Sequence, residues 1–299
     1  MKKIIHAVPN FSDGRREEVI AEVIKPFLNT PGVKLMGHFP DPDFNRTVIE
    51  ALGEPAPLKK ALMEMTEASV RLIDMNKQSG DHPRIGAQDT IPIFPLQNIT
   101  LDECKEFIEE IAVDIHKKFN LPVYFSGENA RCEERKALGF IRKGQYEGLK
   151  EVVHTDERKP DIGERKLHPS AGAIICSAGI KPLVAFNVIL DSNRLDIAKK
   201  IAKSVRGPSG GFSTVRAVGL LFEDRDQVCV SMNMFDFEKT PLYRTYEFIK
   251  REAARYGIGT AGTELVGTLR QEALVSVAEY FLQLEDFDRG QIIENHMIG

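Results

Sequence analysis

Cysteine is scarce and scattered in this chain of 299 residues: Cys104, Cys132, Cys176 and Cys229 form no C-x-x-C pair. That pattern excludes a zinc knuckle and a secreted disulfide framework. Cys104 and Cys229 fall in apolar-patterned segments, as core residues do, whereas Cys132 opens an expected surface helix with no activating base beside it in sequence. No apolar run is long enough to span a bilayer. The start, Met1-Lys2-Lys3-Ile4-Ile5-His6, reaches Pro9-Asn10 too soon for a signal peptide, so a cytoplasmic protein is expected. Charge of one sign is also lacking. A net charge of -4 offers no broad attraction to nucleic acid or to a membrane. There is no H-x-x-x-H pair, no G-x-G-x-x-G after a strand, and no G-K-[ST] following Arg206-Gly207-Pro208-Ser209-Gly210-Gly211. No metal site, dinucleotide fold or phosphate loop is therefore expected, and residues 206–211 read as a turn.

What is present is an ordinary globular composition, 42% hydrophobic and 28% charged, on a length that suits two domains. Periodicity predicts a strand over 1–11, a helix over 16–28, strands over 33–39 and 46–52, a helix over 58–74 and a strand over 90–94. That order is β-α-β-β-α-β, the ferredoxin-like unit. Thr100-Leu101-Asp102-Glu103 is a capping box opening a helix to residue 119. A strand over 122–125 and helices over 132–141 and 146–153 follow, then a polar loop over 155–169 of a length that is usually functional. The second half repeats the order: strand 183–190, helix 195–205, a hairpin of 215–222 and 227–234 across Glu223-Asp224-Arg225-Asp226, helix 241–256 and strand 258–266. A helix over 269–284 and a polar, acidic tail over 285–299 complete the chain. The expected fold class is α/β (α+β), with two ferredoxin-like subdomains, 1–178 and 179–299. Helices are expected on one face of each mixed sheet, and a cleft between the halves is the default ligand site.

The most informative segment is Gly80-Asp81-His82-Pro83-Arg84-Ile85-Gly86-Ala87. Proline pushes the backbone of His82 into an extended conformation, and the flanking glycines permit sharp turns or close approach. The result is an imidazole on a stiff loop between an acid and an arginine, suited to general acid–base work or to a solvated turn. Histidine precedes proline again at His168-Pro169, at the end of the long loop. His6 and His38 lie in expected strands, His116 on the helix opened at Thr100, and His154 and His296 on polar stretches. A second constellation is Asn45-Arg46-Thr47 after Asp41 and Asp43. An arginine at the mouth of a strand holds a carboxylate through two parallel hydrogen bonds, or else pairs with Asp43 in solvent. The loop carrying Asn10 ends on the same side of such a unit as Asn45.

Val8-Pro9-Asn10-Phe11-Ser12-Asp13-Gly14, Asn45-Arg46-Thr47, Leu72-Ile73-Asp74-Met75, the 80–87 segment, Ala185-Phe186-Asn187-Val188 and Val230-Ser231-Met232-Asn233-Met234 stand together in one register. With them, the chain resembles the glutamate formiminotransferase family over essentially its whole length, and its tail resembles the stand-alone bacterial form. The resemblance implies transfer of a formimino group from N-formimino-L-glutamate to N5 of tetrahydrofolate in histidine degradation. It implies a folate tunnel between the subdomains, a homodimer, and His82 as catalytic base. It places folate contacts along Gly163, Glu164, Arg165, Lys166, Leu167, His168, Pro169, Ser170, Ala171 and Gly172. Family members often have glutamate where Asp81 stands. The aspartate that the animal enzymes carry near the active site aligns closest to Phe39, which leaves Asp41 or Asp43 for that acidic role. The bifunctional relatives continue into a cyclodeaminase domain, so a cyclodeaminase is expected as a separate protein.

The chemistry suits these residues. N5 must shed a proton and the glutamate nitrogen must gain one, and one imidazole with a pKa near ~6.5 performs both in turn. Arg46 and Arg84, with Asn10 and Asn45, suit the carboxylates of the donor. Asp41, Asp43 or Asp81 suits the amidine. Arg158, Lys159, Arg165 and Lys166 make the long loop basic enough to attract the anionic folate tail. Two other readings remain: formyl transfer between glutamate and folate, and a non-catalytic folate-binding module.

Overall fold

The computed structural model describes residues 2–222 and 225–296, which divide into two compact units, Met1–Pro182 and Leu183–Gly299. Each unit closes over its own hydrophobic core.

The first unit begins with β1 (Ile4–Ala7), β2 (Asn10–Phe11), α1 (Glu17–Asn29), β3 (Val33–Asp41), β4 (Arg46–Gly53), α2 (Pro55–Leu72) and β5 (Gln88–Gln97). The single strand expected over 1–11 is two strands. Pro9 has no N–H for the ladder, and its carbonyl instead accepts from Ile49 N at 2.8 Å. Both pieces lie antiparallel between β4 and β5, and β3 pairs outside β4. The spatial order β3-β4-β1/β2-β5 is the ferredoxin-like order expected from the pattern.

The chain then extends this frame. It runs through α3 (Leu101–Phe119), β6 (Val123–Gly127), α4 (Leu138–Ile141), α5 (Gln145–Val152) and β7 (Ile174–Ala178). The Thr100 capping box forms, with Thr100 accepting from Glu103 N, and α3 buries Cys104, Ile108, Ile111, Ala112 and Ile115 along one stripe. β7 pairs parallel to both β5 and β6, so this sheet is mixed. No strand is expected over 174–178 from alternation, because Ile174, Ile175 and Cys176 are buried on both faces and read as a short apolar run. The helix expected over 132–141 is only a 3₁₀ turn at Glu133–Arg135 and the single turn of α4. Helices α1, α2 and α3 lie side by side against the sheet.

The second unit comprises β8 (Val184–Leu190), α6 (Leu195–Val205), β9 (Val215–Phe222), β10 (Gln227–Met234), α7 (Leu242–Ala254), β11 (Thr260–Val266) and α8 (Gln271–Leu282). Its sheet runs β11-β8-β10-β9, again the ferredoxin-like order. Every ladder in it is antiparallel, so the expectation of a mixed sheet holds only for the first unit. The reason is topological: nothing is inserted here to bring a parallel neighbour to an edge strand. α6 drives Ile197, Ala198, Ile201, Ala202 and Val205 into the core, each large aliphatic side chain contributing about 1.5–3 kcal/mol. Two residues of the expected hairpin tip, Glu223 and Asp224, lie outside the described residues, as do 297–299 of the expected tail. No described helix is long and apolar enough to cross a membrane.

Candidate active site

The segment over 80–87 links α2 to β5 and is clamped on both sides. A Cβ on Gly80 would lie 2.4 Å from the Phe44 carbonyl oxygen, and one on Gly86 would lie 1.8 Å from that of Ala173. The glycines are there for close approach, one to the β3–β4 turn and one to the strand leading into β7. Asp81 N donates to the Asp43 carbonyl at 3.3 Å, Ile85 N to Asp89 Oδ1 at 2.7 Å, and Ser12 Oγ to the Gly86 carbonyl at 2.7 Å. Hairpin turn, loop and sheet edge are thereby fixed to one another around His82.

Arg46, the first residue of β4, places Nη1 2.5 Å from His82 Nε2. A guanidinium only donates, so Nε2 is the acceptor and the proton of the neutral ring sits on Nδ1. His82 Nδ1 is buried with no hydrogen-bond partner among the described residues. The ring of Phe44 stands 5.9 Å away, tilted. Burial, reinforced by Arg46, Arg142 and Arg84, pushes the imidazole down to about 3. This histidine is neutral at pH 7.

Arg142, just after α4, is the residue that the sequence reading missed. It pairs with Asp89, whose side chain is 1% exposed. Burial and Arg142 together lower the Arg46 pKa, while Asp89 and Asp41 oppose that shift. No short-range signal marks Arg142, which lies far in sequence from the 82 loop and meets it only in the fold, through Asp89 just beyond that loop.

The remaining expected site residues divide by what they touch. Arg84 is 5% exposed and donates to Gln78 Oε1, the Gln78 carbonyl, Gln145 Oε1 and both oxygens of Glu147 at 2.7–3.1 Å. All its donors are engaged by protein, where a substrate carboxylate was expected. It ties α5 to the loop instead, and it holds the Glu147 carboxyl below the usual range. Asn45 adopts φ 48°, a left-handed turn conformation that asparagine tolerates. Its side chain accepts from Gly14 N and donates to the Ser79 carbonyl, so it joins three loops. Asn10 is 8% exposed in β2 and donates to the Val8 carbonyl. Asp41 pairs across the hairpin with Arg46 and accepts from Phe44 N, while Asp43 is exposed. Neither carboxylate is hydrogen-bonded to His82 among the described residues; Asp41 acts on Arg46, opposing the fall in its pKa.

The segment over 163–172 has two distinct ends. Its start carries Arg165 paired with Asp156 at 2.7 Å and Lys166 with Glu164 at 3.2 Å, both exposed, with Gly163 against His116 and Leu167 buried. Arg158 is 9% exposed and donates to the carbonyls of Ile141 and Lys143, so it is a brace and not part of a basic surface. The far end is built into the site's frame. Pro169 and Ser170 offer carbonyls to Asn76 and Met75, Ala171 accepts from Ala87 N, and Gly172 bridges Gly86. His168 Nδ1 accepts the amides of Ser170 and Ala171 at 3.3 and 3.0 Å.

Comparison with known proteins identifies the family. A family model described as the formiminotransferase domain, N-terminal subdomain, matches residues 4–179, and one described as the formiminotransferase domain matches 185–298. A glutamate formimidoyltransferase of Streptococcus pyogenes serotype M1 is 43% identical over 100% of both chains. One from Thermoplasma acidophilum is 35% identical over 98% of this chain and 97% of its own. The formimidoyltransferase-cyclodeaminase of Sus scrofa is 34% identical over 96% of this chain and 54% of its own. With both subdomain models matched in order along its length, the chain belongs to the formiminotransferase domain family.

Proposed function

We propose that this protein transfers the formimino group of N-formimino-L-glutamate to N5 of tetrahydrofolate, giving 5-formiminotetrahydrofolate and L-glutamate in histidine degradation. The observation that carries this reading is an uncharged imidazole, His82, fixed beside the guanidinium of Arg46. The acceptor amine must lose a proton and the departing glutamate nitrogen must gain one. A neutral ring accepts the first and returns it to the second, a role typically worth ~10²–10⁴ in rate. Arg46 supplies the cation for a donor carboxylate, and Asp41 balances it across the hairpin. Tetrahydrofolate is the co-substrate, and residues 163–172 are assigned to it. The braced end at His168–Gly172 supports that assignment, because it is hydrogen-bonded to the His82 loop. The subdomain boundary is read at 178/179, at the end of β7 and just ahead of the division into compact units at 182/183, and the protein is read as a cytoplasmic homodimer whose product passes to a cyclodeaminase activity.

The test is a spectrophotometric turnover assay with formiminoglutamate and tetrahydrofolate, with N-formylglutamate as a second donor. Formation of 5-formiminotetrahydrofolate with release of glutamate, faster than formyl transfer, is the expected result. Folate binding without turnover of either donor replaces this reading with that of a binding module.

A further inference from the structure

The charges around His82 do not balance within the protein. Arg84 has Glu147, and Arg142 has Asp89. Arg46 has no ion pair among the described residues; its one side-chain hydrogen bond goes to a neutral ring, and its Nε is buried without a partner among them. Arg142 Nε and His82 Nδ1 are buried and unpartnered in the same way. Asp41 and Asp89 act on Arg46 only at longer range; a guanidinium sheltered from water with no direct ion pair is costly, and unmet donors on three interacting side chains suit an anion. The Nε2 lone pair of His82, meanwhile, is occupied by Arg46, so in this arrangement the ring cannot receive a proton there.

We propose that Arg46 and Arg142 form a carboxylate receptor whose occupation draws Arg46 off His82 Nε2 and so switches the imidazole on as a base. The inference rests on the transferase reading above and adds a coupling to it: a substrate carboxylate, not the protein alone, makes the base competent. Two effects act in one direction. The carboxylate satisfies Arg46 and frees the lone pair, and its negative charge offsets the cations that oppose protonation of the ring. The charged groups that face the ring are Arg46 from β4, Arg142 from the turn after α4 and Arg84 from its own loop. Behind them stand Asp41 and Asp89 on Arg46, Asp89 on Arg142 and Glu147 on Arg84. Arg142 is thus a positioning and binding residue for the donor. A base silent until its substrate carboxylate arrives would not be spent on unproductive protonation.

Both the donor and the glutamyl tail of folate carry carboxylates, so the test separates them. Histidine labelled with ¹³C at Cε1 is titrated by NMR in the intact protein, and the His82 signal is assigned by its loss in His82→Gln. Titrations are run on the protein alone, with L-glutamate, and with tetrahydrofolate. In the protein alone the ring is expected to stay neutral down to about pH 4. Saturating L-glutamate is expected to raise its midpoint by at least one unit, a tenfold gain in proton affinity. A shift with tetrahydrofolate only would reassign the receptor to the folate tail and overturn the donor assignment. Arg142→Lys is expected to raise the KM for formiminoglutamate at least tenfold and to shrink the L-glutamate-induced shift. A midpoint near 6.5 in the protein alone, or one unmoved by both ligands at saturation, overturns the switch. Because the titration needs no turnover, a protein inactive as a transferase could still show the coupling, and an active one could lack it. The two readings therefore fail separately.

Discussion

The chain contains the dipeptide His-Pro twice in its first unit, at His82 and at His168, and the fold treats the two rings in opposite ways. Both imidazoles are pulled below their ordinary range by burial. At His168 the acceptor nitrogen is satisfied by two backbone amides of its own turn, so that nitrogen holds the shape of the loop. At His82 the acceptor nitrogen is met by a guanidinium from another strand, and the other nitrogen meets nothing among the described residues. Proline gives each loop its stiffness. What differs is where the partners come from. A ring whose partners are local is finished; a ring whose partners are distant, charged and incompletely matched is available for chemistry.

The largest effect that would sharpen this contrast lies behind His82. Asp89→Asn leaves Arg142 charged and sheltered without its counter-ion, and loss of about 3–5 kcal/mol of unfolding free energy is expected in a denaturant titration. The corresponding change near the other loop, Asp156→Asn beside Arg165, is expected to leave the denaturation midpoint nearly unmoved, because that pair is exposed and screened by solvent. Equal losses from the two would show that the His82 cluster is not specially buried.

Next comes activity. His82→Asn is expected to lower turnover by at least about 100-fold with folate still bound, whereas His168→Asn, which keeps an acceptor for the same amides, is expected to stay within about tenfold. Near-normal turnover in the first variant would remove His82 from the mechanism.

Acid sensitivity follows from the sign of the shift. The unfolded chain protonates His82 near 6.5 while the folded chain resists protonation to about 3. The unfolded state therefore binds more protons in that window, and stability falls as pH drops through it, by at most about 1.4 kcal/mol per pH unit. His82→Asn should remove this share, so the stability difference between wild type and variant should change across pH 3–6.5 and stay flat above it. His168 shifts in the same direction, and its replacement should give a shallower version of the same change.

The smallest effect is expected at the outer end of the long loop. Arg165 and Lys166 are already paired with Asp156 and Glu164 at the surface, so converting both to alanine should weaken polyglutamylated folate relative to monoglutamate by less than about tenfold. An unchanged ratio would leave the tail preference to other residues.

Much of the frame was legible because its signals are local. The Thr100–Glu103 capping box, the apolar stripe of α6 and the alternation in β9 and β10 each depend on neighbours within a few residues, and all formed where expected. The strand β7 escaped notice because burial on both faces erases alternation, and the 132–141 segment failed as a helix because its side chains serve the packing of the 155–169 loop, with Arg135 donating to the carbonyls of Glu157 and Lys159. The His82 loop was visible through its glycines and proline, but adjacency in sequence said nothing about the pairing of Arg84 with α5.

By itself, then, the amino-acid order determined the two βαββαβ frames, the family, and the stiff loop that bears His82, since periodicity, capping and proline act over short range. Only the tertiary structure decided that Arg84 is a brace, that Arg142 joins the site, and that Arg46 closes on Nε2. Those outcomes are settled by which charges are buried together, and burial is a property of the assembled sheet and its long connections that no stretch of the chain carries alone.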